Sequence, residues 1–466
     1  MQYVSTRGGA TPLTFADATL AGLAPDGGLF VPESYPVFQQ DQWQGLRGRP
    51  LDDVALEILD AFAAGDPSRA ELKADIDAAM GTFVHKARTP LVQIGPRDFV
   101  LELFHGPTLA FKDVAMQIIA RVMDRILAAK GRRATIVTAT SGDTGAAAVH
   151  AFRGRSAIDV FILFPDGRVS DVQRRQMTTV EEDNVHTIAV DGDFDDCQRI
   201  VKTLFVDRDF NTRVAMSGVN SINWARVAAQ ISYFVSAGLA LGAPERRVAF
   251  VVPTGNFGDI LAGYVATRMG LSLERLVIAT NQNDILDRTA RSGHYAPGKV
   301  EPSSSPSMDI QVSSNFERLV YDLSGRDAGS VAQRMAAAAA EGFRLTNHER
   351  EGMAKLFSSG RADEAACRAT IARTYRETGM IVDPHTAVGL KAAFETELDD
   401  DVARVTLATA HPAKFPDAVE AGCGVRPEPP ERLAHVFERP ERMTRLPADT
   451  AAVAAFVTDR SRAVAA

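Results

Sequence analysis

The chain has little that could cross-link it. Three cysteines, Cys197, Cys367 and Cys423, stand far apart among 466 residues. An odd, scattered set with no CxxC excludes a disulfide framework or zinc knuckle and fits a reducing, cytoplasmic setting. Long apolar runs are scarce too. Residues 227–244 carry no charge, yet include Gln230, Ser232, Tyr233, Ser236, Gly238 and Gly242. This falls short of the ~20 strongly apolar residues a bilayer core requires, so the stretch reads as a buried core helix and no membrane is expected. The N-terminal MQYVSTRGGATPLTF has no apolar segment of the secretory kind. Dense Lys/Arg blocks are missing and the net charge is −8. Nucleic acid is therefore set aside as a main partner, while a local cationic pocket remains open. HExxH, GxSxG, the Walker Gly-Lys-Ser/Thr and GxGxxG are all absent. Zincins, α/β-hydrolase triads, P-loops and the usual dinucleotide fingerprint lose their support, and no metal set is expected.

What is present is an ordinary globular balance, 45% apolar and 24% charged, at a length suggesting about three domains. Short β-branched runs at 99–103, 135–138, 160–164, 185–190, 248–252, 276–279 and 405–407 read as strands buried on both faces. Helical periodicity lies between them, at 113–129, 146–152, 195–205, 220–241, 260–269, 328–342 and 364–378. Alternation of this kind predicts an α/β fold with a mainly parallel, doubly wound sheet. The first ~90 residues differ. Gly27, Gly28, Pro32 and Pro36 punctuate them before two helical patterns at 52–63 and 68–80, marking a separate N-terminal unit. Pro427–Pro430 marks a linker into a terminal segment of weak helical character.

Ligands of open α/β sheets sit beyond the C-terminal ends of the strands. Five predicted hand-overs are rich in glycine or polar residues: 104–113, 140–145, 253–259, 280–284 and 409–414. In Thr254-Gly-Asn-Phe-Gly-Asp259 the glycines permit close backbone approach, and the next helix would aim free N–H groups at an anion. A plain β–α turn fits the same pattern. In Thr140-Ser-Gly-Asp-Thr-Gly145, Ser141 and Thr144 offer hydroxyls and the backbone can hold a carboxylate or phosphate; Asp143 or Thr144 can equally cap the helix.

Lys112 opens the predicted 113–129 helix amid Phe104, Leu109 and Phe111. A helix N-terminus and a desolvated pocket both favour the neutral amine, the form suited to a Schiff base. His105 and His411 lie in these loops as possible polar contacts. The other seven histidines, His385 among them, read as structural or surface residues.

Seven blocks in this order resemble the threonine synthases of the bacterial and fungal type, pyridoxal-phosphate enzymes of fold type II. They are Tyr3-Val-Ser-Thr-Arg-Gly8, Asp26-Gly-Gly-Leu-Phe-Val-Pro32, Leu103-Phe-His-Gly-Pro-Thr-Leu-Ala-Phe-Lys-Asp113, Ala139-Thr-Ser-Gly-Asp-Thr-Gly145, Pro253-Thr-Gly-Asn-Phe-Gly-Asp259, Ser307-Met-Asp-Ile-Gln-Val-Ser-Ser-Asn-Phe-Glu-Arg318 and Thr409-Ala-His-Pro-Ala-Lys-Phe415. The resemblance implies two α/β lobes with mainly parallel sheets, like the tryptophan synthase β chain, plus an N-terminal domain. It divides the chain into 1–95, a catalytic region 96–425 with a smaller lobe at roughly 125–235, and a C-terminal segment 426–466. Lys112 matches the lysine that forms the Schiff base with pyridoxal 5'-phosphate. Gly255, Asn256, Phe257, Gly258 and Asp259 match the cup for the cofactor's phosphate, and Thr409 the partner of its pyridine nitrogen. Ser141, Gly142, Asp143 and Thr144 match the grip on the substrate carboxylate, with Asp143 where many relatives of this fold have Asn. The implied reaction turns O-phospho-L-homoserine and water into L-threonine and phosphate, in a monomer or homodimer. A related phospho-lyase giving 2-oxobutanoate is the alternative. Candidates for a second anion site, for the substrate phosphate, are Asn281, Lys299, Arg318, Lys414 and the hydroxyls of Ser141 and Thr144. For Lys299 and Arg318 a surface role fits as well. Water must be kept out early and let in late, which implies a closing movement of the lobes.

Overall fold

A computed structural model describes residues 1–338 and 340–464. Two parallel sheets carry the body. The larger runs, edge to edge, Phe357–Arg361, Arg275–Thr280, Val248–Pro253, Ala403–Ala408, Asp98–Glu102 and Leu91–Gln93. All neighbours pair in parallel except the last two, which are antiparallel. The smaller runs Thr444–Pro447, Val185–Asp191, Ile158–Pro165, Ala134–Ala139 and Met216–Ser217, parallel throughout. The seven strands predicted from buried apolar runs are all present. The edge strands were not predicted, because half-exposed strands of two to five residues carry no continuous apolar signal.

The terminal segment differs from expectation. Besides the helix Thr450–Arg460 it supplies the strand Thr444–Pro447, which pairs with Val185–Asp191 at the edge of the smaller sheet. Val453 and Val457 of that helix are fully buried with Cys197, Ile200 and Leu204.

The long helices follow their apolar spacing. Lys112–Ala129 buries Ala115, Ile118, Ile119, Val122, Ile126 and Leu127 on one face. Trp224–Ala240 contains most of the charge-free stretch read above, and it is a core helix: Trp224 to Val235 are buried without a break. It starts after residue 220 because Asn223 caps it, accepting from the Ala225 N–H at 3.1 Å. Phe62 of the N-terminal helix Leu51–Ala63 packs edge-on against Trp224, with centroids 5.6 Å apart. The N-terminal residues thus share one continuous core with both sheets. Among the described residues no helix is long and apolar enough to cross a membrane.

Candidate active site

Four loops from the C-terminal ends of strands converge on Lys112. Two of them are zipped together: Phe111 N–H donates to the Thr409 carbonyl at 2.8 Å, and His411 N–H to the Leu109 carbonyl at 3.0 Å. Asp113 pins the first loop by accepting from the Thr108 N–H and hydroxyl at 2.7 and 2.8 Å. Gly106 is required there, since a Cβ would stand 2.4 Å from that of Asp113. The outcome is a lysine at the first turn of a long helix, 7% exposed, with a buried threonine, Thr409, on the adjoining loop.

Lys112 Nζ lies 3.3 Å from Ser307 Oγ and 3.5 Å from Asp143 Oδ2. Burial pushes its pKa down, helped by Arg226 and Lys414 and opposed by Asp143. The amine is therefore biased toward its neutral, nucleophilic form. Asp143 is lowered too, which in a carboxyl favours the charged form. Burial alone would raise it, but Lys414 and Lys112 hold it well below the usual carboxylate range. Lys414 Nζ sits 2.8 Å from Asp143 Oδ1 and donates to the Thr108 carbonyl at 2.7 Å, and Gln173 Nε2 donates to the same carboxylate at 2.9 Å. Asp143 is thus a hub held toward its charged form, and Lys414 belongs to it.

The 140–145 loop is folded by Thr140, whose hydroxyl accepts from the N–H groups of Gly142 and Gly145, both at 2.9 Å. Gly142 has φ +139°, and a Cβ on it would lie 2.3 Å from Gln173 Cδ. Ser141 and Thr144 flank it, half-buried.

The 254–259 loop leaves the Val248–Pro253 strand and starts the helix Gly258–Arg268. Phe257 turns the chain through a left-handed φ of +62°. A Cβ on Gly255 would come within 2.8 Å of the Ser307 carbonyl oxygen. The Asn256 carbonyl accepts from the Asn315 N–H at 3.0 Å. Asp259 receives a hydrogen bond from Tyr233, and burial raises its pKa to about 7.

Whether these residues suit pyridoxal phosphate can be judged from their own bonding. The buried polar atoms Arg226 Nε, Arg226 Nη1 and Asp259 Oδ2 have no partner in the protein. Leaving such groups unpaired costs a few kcal/mol each, about 1–3 on average, so a polar ligand is called for. The glycine cup, the helix N-terminus and a buried lysine beside it match a phosphate joined to an aldehyde. The residues fit the cofactor.

The chain belongs to the threonine synthase family. A family model for pyridoxal-phosphate dependent enzymes matches residues 83–366, and models for the threonine synthase N terminus and C-terminal region match 2–80 and 386–457. The threonine synthase of Pseudomonas aeruginosa is 51% identical, with 98% of each chain covered. The crystal structure of pyridoxal-phosphate-bound threonine synthase from Brucella melitensis superposes with a TM-score of 0.96 at 52% identity, over 99% of this chain and 100% of that one. The yeast enzyme gives 0.92 at 38% identity, over 98% of each chain. As a member of this threonine synthase family the protein is a pyridoxal-phosphate-dependent lyase of fold type II.

Several candidates for the substrate phosphate are placed elsewhere. Arg318 is fully buried, neither ligand nor surface residue. Its guanidinium donates to the carbonyls of Phe30 and Ile222 and to Asn315, which clamps the N-terminal region onto the body. Lys299 is exposed. The Asn281 amide is taken up by Ser303, Ser305 and Asp309 at 2.8–3.0 Å, so it braces the 303–309 turn. Arg226, Ser307 and Gln173 went unassigned in the sequence, and His385, expected to be structural or at the surface, is buried. For Arg226 a signal existed: one arginine at the head of an otherwise charge-free helix is a buried charge in search of a counterion. An open cavity of about 510 Å³ is lined by Phe104, His105, His411 and Arg432, but not by Lys112, Asp143 or Ser307.

Proposed function

We propose that the protein converts O-phospho-L-homoserine and water to L-threonine and phosphate, with Lys112 as its base and cofactor anchor. The observation that carries this reading is a buried lysine 3.5 Å from a buried aspartate, with a buried arginine that has no partner in the protein among its neighbouring charges. When bound, pyridoxal phosphate would supply the electron sink for a carbanion at the substrate's α carbon, which bears the amino group. Gly255, Asn256, Phe257, Gly258 and Asp259 would hold its phosphate, and the Thr409 hydroxyl its ring nitrogen. Freed by the incoming amine, Lys112 Nζ takes the proton from the substrate's α carbon and returns protons later. The Ser141–Thr144 backbone, backed by Thr140, receives the substrate carboxylate. Asp143 keeps a negative charge beside Lys112 that stabilises the protonated lysine after each abstraction.

Arg226 is proposed to hold the leaving phosphate. Among the described residues five cations are buried, and Arg226 is the one whose side chain has neither hydrogen bond nor ion pair. The test is to feed the holoenzyme O-phospho-L-homoserine and assay threonine and phosphate together. Equal release of the two is expected. Accumulation of 2-oxobutanoate in place of threonine overturns the reading and favours a phospho-lyase.

A further inference from the structure

The backbone of Ser307, whose side chain meets Lys112, is hydrogen-bonded by a buried pair on another element. The helix Pro384–Glu395 packs across four strands of the larger sheet. Its cap, Asp383, is fully buried, and His385 is 3% exposed. His385 Nδ1 lies 2.7 Å from Asp383 Oδ2. Its other nitrogen, Nε2, accepts from the Ser307 N–H at 3.2 Å. That second bond fixes the tautomer, because an N–H can point only at a bare ring nitrogen. Nδ1 must then carry the proton and give it to Asp383. The carboxylate is committed as an acceptor on both oxygens: Oδ2 also takes the His385 N–H at 2.9 Å, and Oδ1 takes the Thr386 N–H at 3.1 Å and the Thr386 hydroxyl.

Ser307 occupies a demanding place. Its Oγ is 3.2 Å from Asp143 Oδ2 and 3.3 Å from Lys112 Nζ, while its carbonyl oxygen walls the phosphate cup at Gly255. The far end of the same turn is braced independently, by Asn281 and Asn283 on Asp309 at 2.8 and 3.0 Å. The near end has His385.

We propose that Asp383 and His385 are positioning residues for the reaction, holding Ser307 against both Lys112 and the cofactor's phosphate cup. The inference rests on the proposed role of Lys112. Capping alone would need only Asp383 and the backbone; it assigns nothing to a buried imidazole aimed at the turn. A rigid helix on a sheet is the kind of support that keeps a reacting amine within a few tenths of an ångström of its place.

Two measurements do not depend on the product formed. In the holoenzyme labelled with ¹⁵N-histidine, the His385 imidazole should carry its proton on Nδ1 alone; a proton on Nε2 overturns the proposal. Stripped of cofactor and given pyridoxal phosphate again, the His385→Leu protein should regain its visible absorption at least tenfold more slowly than wild type. An unchanged rate overturns the proposal. In turnover, His385→Leu should lower kcat at least tenfold with KM within threefold. His385→Gln, whose amide oxygen can reach the Ser307 N–H, should recover at least fivefold of that loss. Equal losses in the two variants mean a packing role only. Should His385→Leu not fold, the imidazole spectrum of the wild type and the His385→Gln kinetics still decide.

Discussion

At the scale of single residues, the site is a set of opposed charges whose burial makes each one matter. Lys112→Ala should lower turnover by about a thousandfold or more and abolish the visible absorption of bound cofactor, with the far-ultraviolet circular dichroism unchanged. Arg226 gives a less intuitive expectation. Its unpaired charge is a cost to the empty protein, so Arg226→Met should raise the melting temperature of the apoprotein. The same change should reduce kcat/KM roughly 30–150-fold, the worth of a charge-assisted hydrogen bond of about 2–3 kcal/mol. A lowered melting temperature together with unchanged kinetics would remove Arg226 from the site. Asp259 supplies a pH dependence. Its folded pKa is raised to about 7 from an ordinary 3.8. Between those values the folded carboxyl keeps a proton that the unfolded one releases, so native stability falls as pH rises through the window. Apoprotein carrying Asp259→Asn has no such proton to lose. Its stability relative to wild type should therefore be greater at pH 8 than at pH 5, as read by urea denaturation at both.

At the scale of elements, chemistry sits where strands hand over to helices, and that placement was readable. Lys112, the 140–145 loop and the 254–259 loop each announce themselves by glycine and polar residues after an apolar run. Their mutual distances were not readable, because they follow from sheet order. Thr409 stands beside Lys112 because Ala403–Ala408 pairs with Asp98–Glu102 across 306 residues of sequence (Arg404 on Asp98). The Gly142 turn tests how tightly one loop is built. Gly142→Ala adds a Cβ at a left-handed φ, 2.3 Å from Gln173 Cδ. It should destabilise the protein by about 1–3 kcal/mol and loosen Gln173 from Asp143, lowering kcat as well. Thermal melting and steady-state kinetics on one preparation check both.

For the whole molecule, the C-terminal segment closes the smaller lobe. Its strand covers the Val185–Asp191 edge, and Glu441 binds Arg174 and Thr178 at 2.9 and 2.8 Å. Ending the chain after Pro440 should expose that edge and the Cys197–Ile200–Leu204 face. The truncated protein is expected to bind a hydrophobic dye, melt earlier and aggregate; a soluble product melting like the full chain would show the strand to be dispensable. Both lobes contribute to the Lys112 surroundings, Asp143 from one and Ser307 from the other. Closure on substrate should therefore reduce the radius of gyration in solution scattering, and identical curves with and without a substrate analogue would rule it out.

Local chemistry decided what could be read from the chain alone. Parallel strands buried on both faces and helices with one apolar face leave their mark on neighbouring residues, so the fold class was legible there, while the cofactor class came from the ordered blocks that resemble a family. Burial and long-range pairing decided the rest. A histidine looks the same in sequence whether it is exposed or locked between Asp383 and Ser307, and an arginine looks the same whether it clamps carbonyls, like Arg318, or has buried nitrogens without a partner in the protein, like Arg226. Only the packed structure, which removes water from one side chain and supplies partners to another, separates those cases.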